Sequence, residues 1–191
     1  MRIVLASGSP RRRELLQSLD LDFEVVPADI DETPHRSESP DALVKRLSIS
    51  KASAVAASHP DALVIAADTV VVHRRDILGK PHDDAENRDF IRRLSGQTHH
   101  VYTGHALVYG TRSEVGVRST KVTFRRLRRG DIDWYVGTGE GRDKAGGYAI
   151  QGYGATLVEG VEGCYFNVVG LSLVYLVELC RALGVELVGS A

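Results

Sequence analysis

A chain of 191 residues with 43% hydrophobic content and a formal net charge of −1 is long enough for one sizeable core, or for two lobes sharing a sheet, and is not a generally basic nucleic-acid binder. No apolar run approaches the roughly 20 residues that cross a bilayer, and the first residues lack the apolar core of a secretion signal. Cys164 and Cys180 fit no metal-ligand spacing and read as reduced thiols, so a cytoplasmic address is expected.

In chain order, the residue pattern predicts a strand over 2–6, a helix over 10–19, a strand over 22–27 and, after an acidic turn, a helix over 40–58. A strand over 62–72 and a short hairpin arm near 76–79 lead into a helix over 83–95. Two long strands, 98–110 and 113–126, are joined by "GTRS" as a hairpin. A helix over 130–137, a glycine-rich loop, a strand over 155–162 and a helix over 170–183 complete the chain. This alternation predicts an α/β fold with a mixed, twisted sheet and flanking helices. No repeat or Pro-rich linker marks a boundary, so residues 1–191 are expected to form a single domain, with a flexible tail in the last few residues. Charge is structured only locally. Asp20 to Asp41 holds eight acids and one arginine, whereas Val117 to Gly130 holds six bases and no acid; each reads first as a solvated face.

Three features resist a purely structural explanation. The first is "LASGSPRRREL", Leu5 to Leu15, where Ser9 occupies an N-cap position, Pro10 opens a helix, and Arg11, Arg12 and Arg13 fill its first turn. Cations there face the positive end of the helix dipole, at about 0.3–1 kcal/mol each. Arg12 also lies on the stripe defined by Leu15, Leu16 and Leu19, so it points toward the protein or a ligand. Either the arginines pair with the acidic stretch after Asp20, or the helix start with its Ser-Gly approach receives a polyanion such as phosphate.

The second is Lys51, placed among Leu43, Val44, Leu47, Ala54 and Val55 on one side of the helix over 40–58, while Lys45 and Arg46 face away. It either snorkels to the edge or directs an ammonium at phosphate in a cleft. The third is Asp68, which interrupts the apolar strand "ALVIAADTVVVH". A buried carboxylate needs a metal, a cation, a hydrogen-bonded structural role or a catalytic task. Glu32 in "DIDET" offers a second carboxylate, and the two together with substrate phosphates and waters would suit an octahedral Mg²⁺. Lys80 in "LGKP" could close over phosphates. The loop "DKAGGYAIQGYGA" allows close backbone approach to a ligand, and Walker-type and dinucleotide-fingerprint spacings are absent. His99, His100 and His105 show no clear metal-binding pattern.

"LASGSPRRREL", "DIDET", "SISKA", "AADTVV", "LGKP", "LSGQTHHVYTG" and "DKAGGYAIQGYGA" occur in this order and spacing from residue 3 to about residue 175, and together they resemble the Maf family of nucleotide pyrophosphatases. The resemblance implies a two-lobed α/β fold related to inosine-triphosphate pyrophosphatases, a central cleft between the lobes, a homodimer, and divalent-cation-dependent hydrolysis of nucleoside triphosphates, with Mg²⁺ or, in its place, Mn²⁺. It implies substrate contacts at Ser7, Arg11 and Arg12, catalytic roles for Glu32, Lys51, Lys80 and Asp68, with Asp68 as proton acceptor, and metal binding by Glu32 and Asp68. The family divides into a branch that prefers dTTP and UTP and one that prefers 7-methyl-GTP, with the discriminating positions at Arg11, Thr69 and Gln151. Neutral Thr69 and Gln151 place this chain with the dTTP and UTP branch. A non-catalytic nucleotide binder and a cell-division interaction protein are the alternative functions; neither a membrane nor a specific nucleic acid is expected as partner.

Overall fold

The computed structural model describes residues 1–189. The tail expected at the end of the chain falls in part on residues 190 and 191, outside the described residues. Among the described residues, seven strands form a sheet ordered β2-β1-β3-β5-β6-β7, with β4 paired to β3. They are β1 (Arg2–Leu5), β2 (Glu24–Val25), β3 (Ala62–His73), β4 (Asp76–Leu78), β5 (Thr98–Tyr109), β6 (Arg112–Phe124) and β7 (Val158–Glu162). Helices α1 (Pro10–Gln17), α2 (Pro40–Ala56), α3 (Asp84–Leu94), α4 (Arg129–Gly137), α5 (Tyr165–Val169) and α6 (Leu173–Ala182) flank this mixed sheet. The chain divides into two compact units. The first contains Met1–Asp68, Thr103–Arg118 and the chain from Gly170 onward; the second contains Thr69–Tyr102 and Ser119–Val169.

In the first unit β1 pairs in parallel with both β2 and β3, with Val4 opposite Val64 and Leu5 opposite Ile65. Both faces of β1 and β3 are buried, as parallel strands require: Ile3, Leu5, Leu63 and Ile65 on one side, Val4, Ala62, Val64 and Ala66 on the other. The second set packs with Ala52 and Val55 of α2 and with Ala106. These are small side chains, so α2 lies close on the sheet. The approach is close at Gly104 of β5, where an added Cβ would stand 2.1 Å from the Val44 carbonyl oxygen. Along β3 the face that meets α2 runs Ala62, Val64, Ala66 and then, by the two-residue period, Asp68. On α2 the buried set is Leu43, Val44, Leu47, Ser48, Lys51, Ala52 and Val55. Ala54, expected on this side, is instead exposed, and Ala52 takes the contact. The helix turns far enough past Lys51 that position 52, not 54, faces the strands.

In the second unit β3 turns back on β4, pairing Val71 with Leu78, and β6 pairs antiparallel with β7. Phe124, His99 and Tyr148 meet edge to face with ring centroids 4.8–5.3 Å apart. Around them Phe90, Ile91, Leu94 and Tyr135 are buried.

Most expected elements are present with shorter ends. The helix expected over 170–183 is the main correction. It is α6 alone, beginning at Leu173, where Ser172 opens it by accepting a hydrogen bond from the Tyr175 N–H; the short helix α5, which ends just before Gly170 at φ 128°, lies where no helix is expected. The strand expected from 155 begins at Val158, because Gly152–Thr156 forms a 3-10 turn.

Gly104→Ala should lower folding stability by about 1–3 kcal/mol in urea denaturation, since the new methyl group meets helix backbone that cannot rotate away. Gly160→Ala, with nothing within 4 Å of its added Cβ, should change stability little.

Candidate active site

The first turn of α1 is organised by Ser7 and Arg12. Ser9 occupies the N-cap position, but its side chain makes no capping hydrogen bond; the hydroxyl of Ser7 accepts from the Ser9 N–H instead (3.3 Å). Leu15 and Leu16 are buried, which turns Arg12 inward as its place on their stripe predicts. Its Nε donates to the Gly170 carbonyl (2.8 Å) and its Nη1 to Ser7 Oγ (3.0 Å). That carbonyl belongs to the break between α5 and α6. Burial pushes the Arg12 guanidinium below its ordinary value; the charge of Asp68 opposes this, Arg11 adds to it and Glu32 opposes it. Arg12 therefore shares one electrostatic site with both candidate carboxylates.

Arg11 is half-buried and Arg13 exposed, and neither forms an ion pair among the described residues. Three acids between Asp20 and Asp41 pair with other cations: Glu24 with Arg2, Glu38 with Arg46 and Glu32 with Lys51. The acidic stretch thus does not neutralise Arg11 or Arg13.

Lys51 and Asp68 are each 8% exposed. The Lys51 Nζ donates to Asp68 Oδ1 at 2.7 Å and pairs with Glu32 Oε1 at 2.8 Å. Lys51 does not snorkel to the edge; its ammonium joins a strand carboxylate to a loop carboxylate. Asp68 Oδ2 stays outside the pair and accepts no hydrogen bond among the described residues. Glu32 is more than half exposed at its side chain, so this end of the cluster opens to solvent.

The loop carrying Glu32 is anchored from α2. Arg46 Nε donates to Glu38 Oε1 (2.7 Å), while Nη2 donates to Glu38 Oε2 (2.7 Å) and the Thr33 carbonyl (3.2 Å). This fork holds the Glu38 carboxyl down to about 2. Arg46 was expected to face away, and helical periodicity is silent on what lies beyond the helix. An arginine opposite a loop acid eight positions earlier leaves no local pattern, so its anchoring role is visible only in the folded chain.

The remaining expected site residues belong to the second unit. Lys80 is exposed after β4 and forms no ion pair among the described residues. Thr69 follows Asp68 on β3 and is half-buried, as is Gln151 at the start of the 3-10 turn. The histidines have structural duties. His105 is fixed as one neutral tautomer, its Nδ1–H donating to the Thr103 carbonyl and its Nε2 accepting from the Ser172 N–H. Burial pushes it down to about 3, as it does His99, whose Nε2 meets the Tyr148 hydroxyl at 2.7 Å.

Two carboxylates of hard oxygen, one of them open to solvent, suit a cation that completes its shell with water and phosphate oxygens. Among the described residues, no cluster of three or more His, Cys, Asp or Glu side chains could enclose a metal alone. No helix there is long and apolar enough to cross a membrane.

A buried Lys–Asp pair thus lies within electrostatic reach of an inward arginine at a helix start, and comparison with other proteins gives the family of the chain. Residues 2–183 match the family described as Maf-like protein, and the chain belongs to that family. It is 54% identical to a dTTP/UTP pyrophosphatase of Myxococcus xanthus, over 97% of this chain and 94% of that protein. It is 50% identical to a dTTP/UTP pyrophosphatase of Deinococcus radiodurans, over 98% and 96% of the two chains. Against a dTTP/UTP pyrophosphatase of Moorella thermoacetica the identity is 52%, over 98% of each.

Removing one partner of a buried ion pair strands the other charge. Lys51→Met should therefore destabilise the protein by roughly 3–5 kcal/mol, whereas Lys51→Met combined with Asp68→Asn should recover much of the loss. Urea denaturation of the two single variants and the double variant checks this, and additive losses would contradict it.

Proposed function

We propose that this protein is a nucleoside triphosphate pyrophosphatase that hydrolyses dTTP and UTP to the nucleoside monophosphate and pyrophosphate. The observation that carries the reading is the cluster of Arg12, Lys51, Glu32 and Asp68, in which cations meet carboxylates and one Asp68 oxygen remains open. The names of the relatives at 50–54% identity support the reaction and the bases.

Water attacks the α-phosphorus, a new P–O bond forms, the bond to the bridging α–β oxygen breaks, and pyrophosphate departs with that oxygen. Such chemistry asks mainly for positioning and charge stabilisation. Asp68 Oδ2 is assigned the proton of the attacking water. Lys51 holds Asp68 by its other oxygen and so aims the carboxylate. Arg12, fixed on Gly170 and Ser7, is assigned to the phosphate oxygens, with Arg11 beside it. Lys80 is assigned to the triphosphate as a further cation. Asp68 and Glu32 would hold Mg²⁺, with Mn²⁺ as its substitute, and the ion would neutralise phosphate charge when bound.

For the base, Thr69 and Gln151 are assigned as readers, with Arg11 as the third discriminating position. Both Thr69 and Gln151 are neutral, and a glutamine amide can donate to a carbonyl oxygen and accept from an N–H, matching the imide edge of thymine or uracil. A cationic 7-methylguanine would instead gain from carboxylates at these positions. A cytoplasmic homodimer belongs to the same reading.

Pyrophosphate release should be faster from dTTP and UTP than from 7-methyl-GTP under matched conditions and should depend on a divalent cation. A protein that binds dTTP without releasing pyrophosphate would overturn the enzymatic reading in favour of a nucleotide sensor. Asp68→Asn should keep dTTP binding and lower kcat by about 10²-fold or more. Retained turnover in that variant would remove Asp68 as proton acceptor.

A second measurement concerns the base. Gln151→Glu, alone and with Thr69→Glu, should reduce turnover of dTTP and UTP and raise that of 7-methyl-GTP, read as the ratio of kcat/KM values. An unchanged ratio in the double variant would take base recognition away from these two positions.

A further inference from the structure

Gln151 lies on a segment whose backbone is tied down on both sides. Before it, Asn87 Nδ2 donates to the Gly147 carbonyl (2.7 Å), Tyr148 reaches His99, and the Ala149 N–H donates to the Tyr135 hydroxyl (3.1 Å). After it, the 3-10 turn Gly152–Thr156 begins, and its first N–H groups have no partner within the turn. Gln151 is the N-cap residue of that turn, yet its side chain makes no capping hydrogen bond.

Glu140, eleven positions earlier, does the capping. Its Oε1 accepts from the Tyr153 N–H (2.9 Å) and its Oε2 from the Gly154 N–H (2.8 Å). The chain comes close enough for this because position 152 is glycine at φ 62°, where an added Cβ would lie 2.2 Å from Glu140 Oε1. Glu140 is itself braced: its N–H donates to Thr138 Oγ1 (3.2 Å), and Lys144 Nζ donates to its carbonyl (2.6 Å).

We propose that Glu140 is a positioning residue for base selection. By capping the turn in place of Gln151, it fixes the backbone on which Gln151 stands and leaves the Gln151 amide for the ligand. This deepens the proposed function and rests on its assignment of Gln151 as a reader of the base. A carboxylate can accept two neighbouring N–H groups at once, whereas a glutamine has one accepting oxygen and an NH₂ that can only donate. Glu140→Gln therefore keeps size and shape and breaks one of the two bonds.

The experiment measures kcat and KM of wild type, Glu140→Gln, Glu140→Asp, Gln151→Ala and the combination of Glu140→Gln with Gln151→Ala, on dTTP and dCTP. It also follows amide hydrogen exchange at Tyr153 and Gly154 in the resting protein, a readout independent of turnover. Glu140→Gln should speed exchange at these two amides. It should raise the KM for dTTP by about 10-fold with kcat little changed, and lower the ratio of kcat/KM for dTTP over dCTP. Adding Gln151→Ala should lower that ratio no further. A ratio unaltered in Glu140→Gln and Glu140→Asp, or a proportional loss on both nucleotides, overturns the proposal, as does a fully additive double variant. A ratio that falls in Glu140→Gln but not in Gln151→Ala supports Glu140 and removes Gln151 as the reader, so the two assignments fail separately.

Discussion

The first unit is arranged around one constraint: a carboxylate placed inside a parallel sheet must be compensated where it sits. Asp68 is charged chemistry at the end of a run that reads Ala62, Val64, Ala66 on the same face. Its compensation comes from Lys51, which must reach it at hydrogen-bond distance from a different element. That requirement accounts for features with no local reason. The face between α2 and the strands is built of alanine and valine, and β5 carries glycine at position 104, where α2 backbone comes down on it. Larger side chains would bury more apolar area and would lift the helix, and the ammonium with it, away from Asp68. Packing area has been exchanged for proximity.

With that pair in place, the electrostatics of the site follow. Arg12 and Lys51 meet the charges of Glu32 and Asp68, and Arg11 adds a third positive charge beside Arg12, so the cations outnumber the carboxylates. Arg12 is held below its ordinary value chiefly by burial, with Arg11 adding to the effect. A protein retains such an arrangement when something else supplies negative charge, and on the function proposed here a triphosphate would supply it at the helix start, where N–H groups also point outward. Glu32 is the adjustable member. It sits on an exposed loop, but Arg46 clamps that loop at Thr33 and Glu38, so the carboxylate is accessible to solvent without being loosely placed.

What could be read from the sequence were violations of local rules, each visible within a few residues. Asp68 broke an apolar strand, Lys51 sat on an apolar helix face, and Arg12 lay on a leucine stripe at the wrong end of a helix dipole. The structure unites the three in one electrostatic site. What could not be read depends on partners far apart in the chain. The Gly170 carbonyl that receives Arg12 lies between a short helix, α5, that the residue pattern does not predict and the start of α6, and a single glycine in an apolar stretch does not announce which carbonyl it releases. The SGSP segment suggested Ser9 as the capping side chain, whereas Ser7, two residues earlier, takes that N–H and an Arg12 N–H as well. Arg46 and Glu140 act across loops, where no helical or strand period links them to what they hold.

Asp68 and Thr69 are neighbours on β3, yet the division into compact units passes between them. Successive side chains on a strand point to opposite faces, so the two residues serve different surroundings although one peptide bond joins them. The residues that compensate and aim Asp68 all lie in the first unit, while the bonds that tie down Gln151 all lie in the second. On the assignment proposed here, the phosphate chemistry and the choice of base are therefore stabilised by separate sets of contacts. On the same assignment, a substitution at Gln151 should alter which base is read without disturbing the ion pair at Asp68, because the hydrogen bonds named above for the two segments have no residue in common. On that assignment the choice of base can change while the ion pair that aims Asp68 stays as it is.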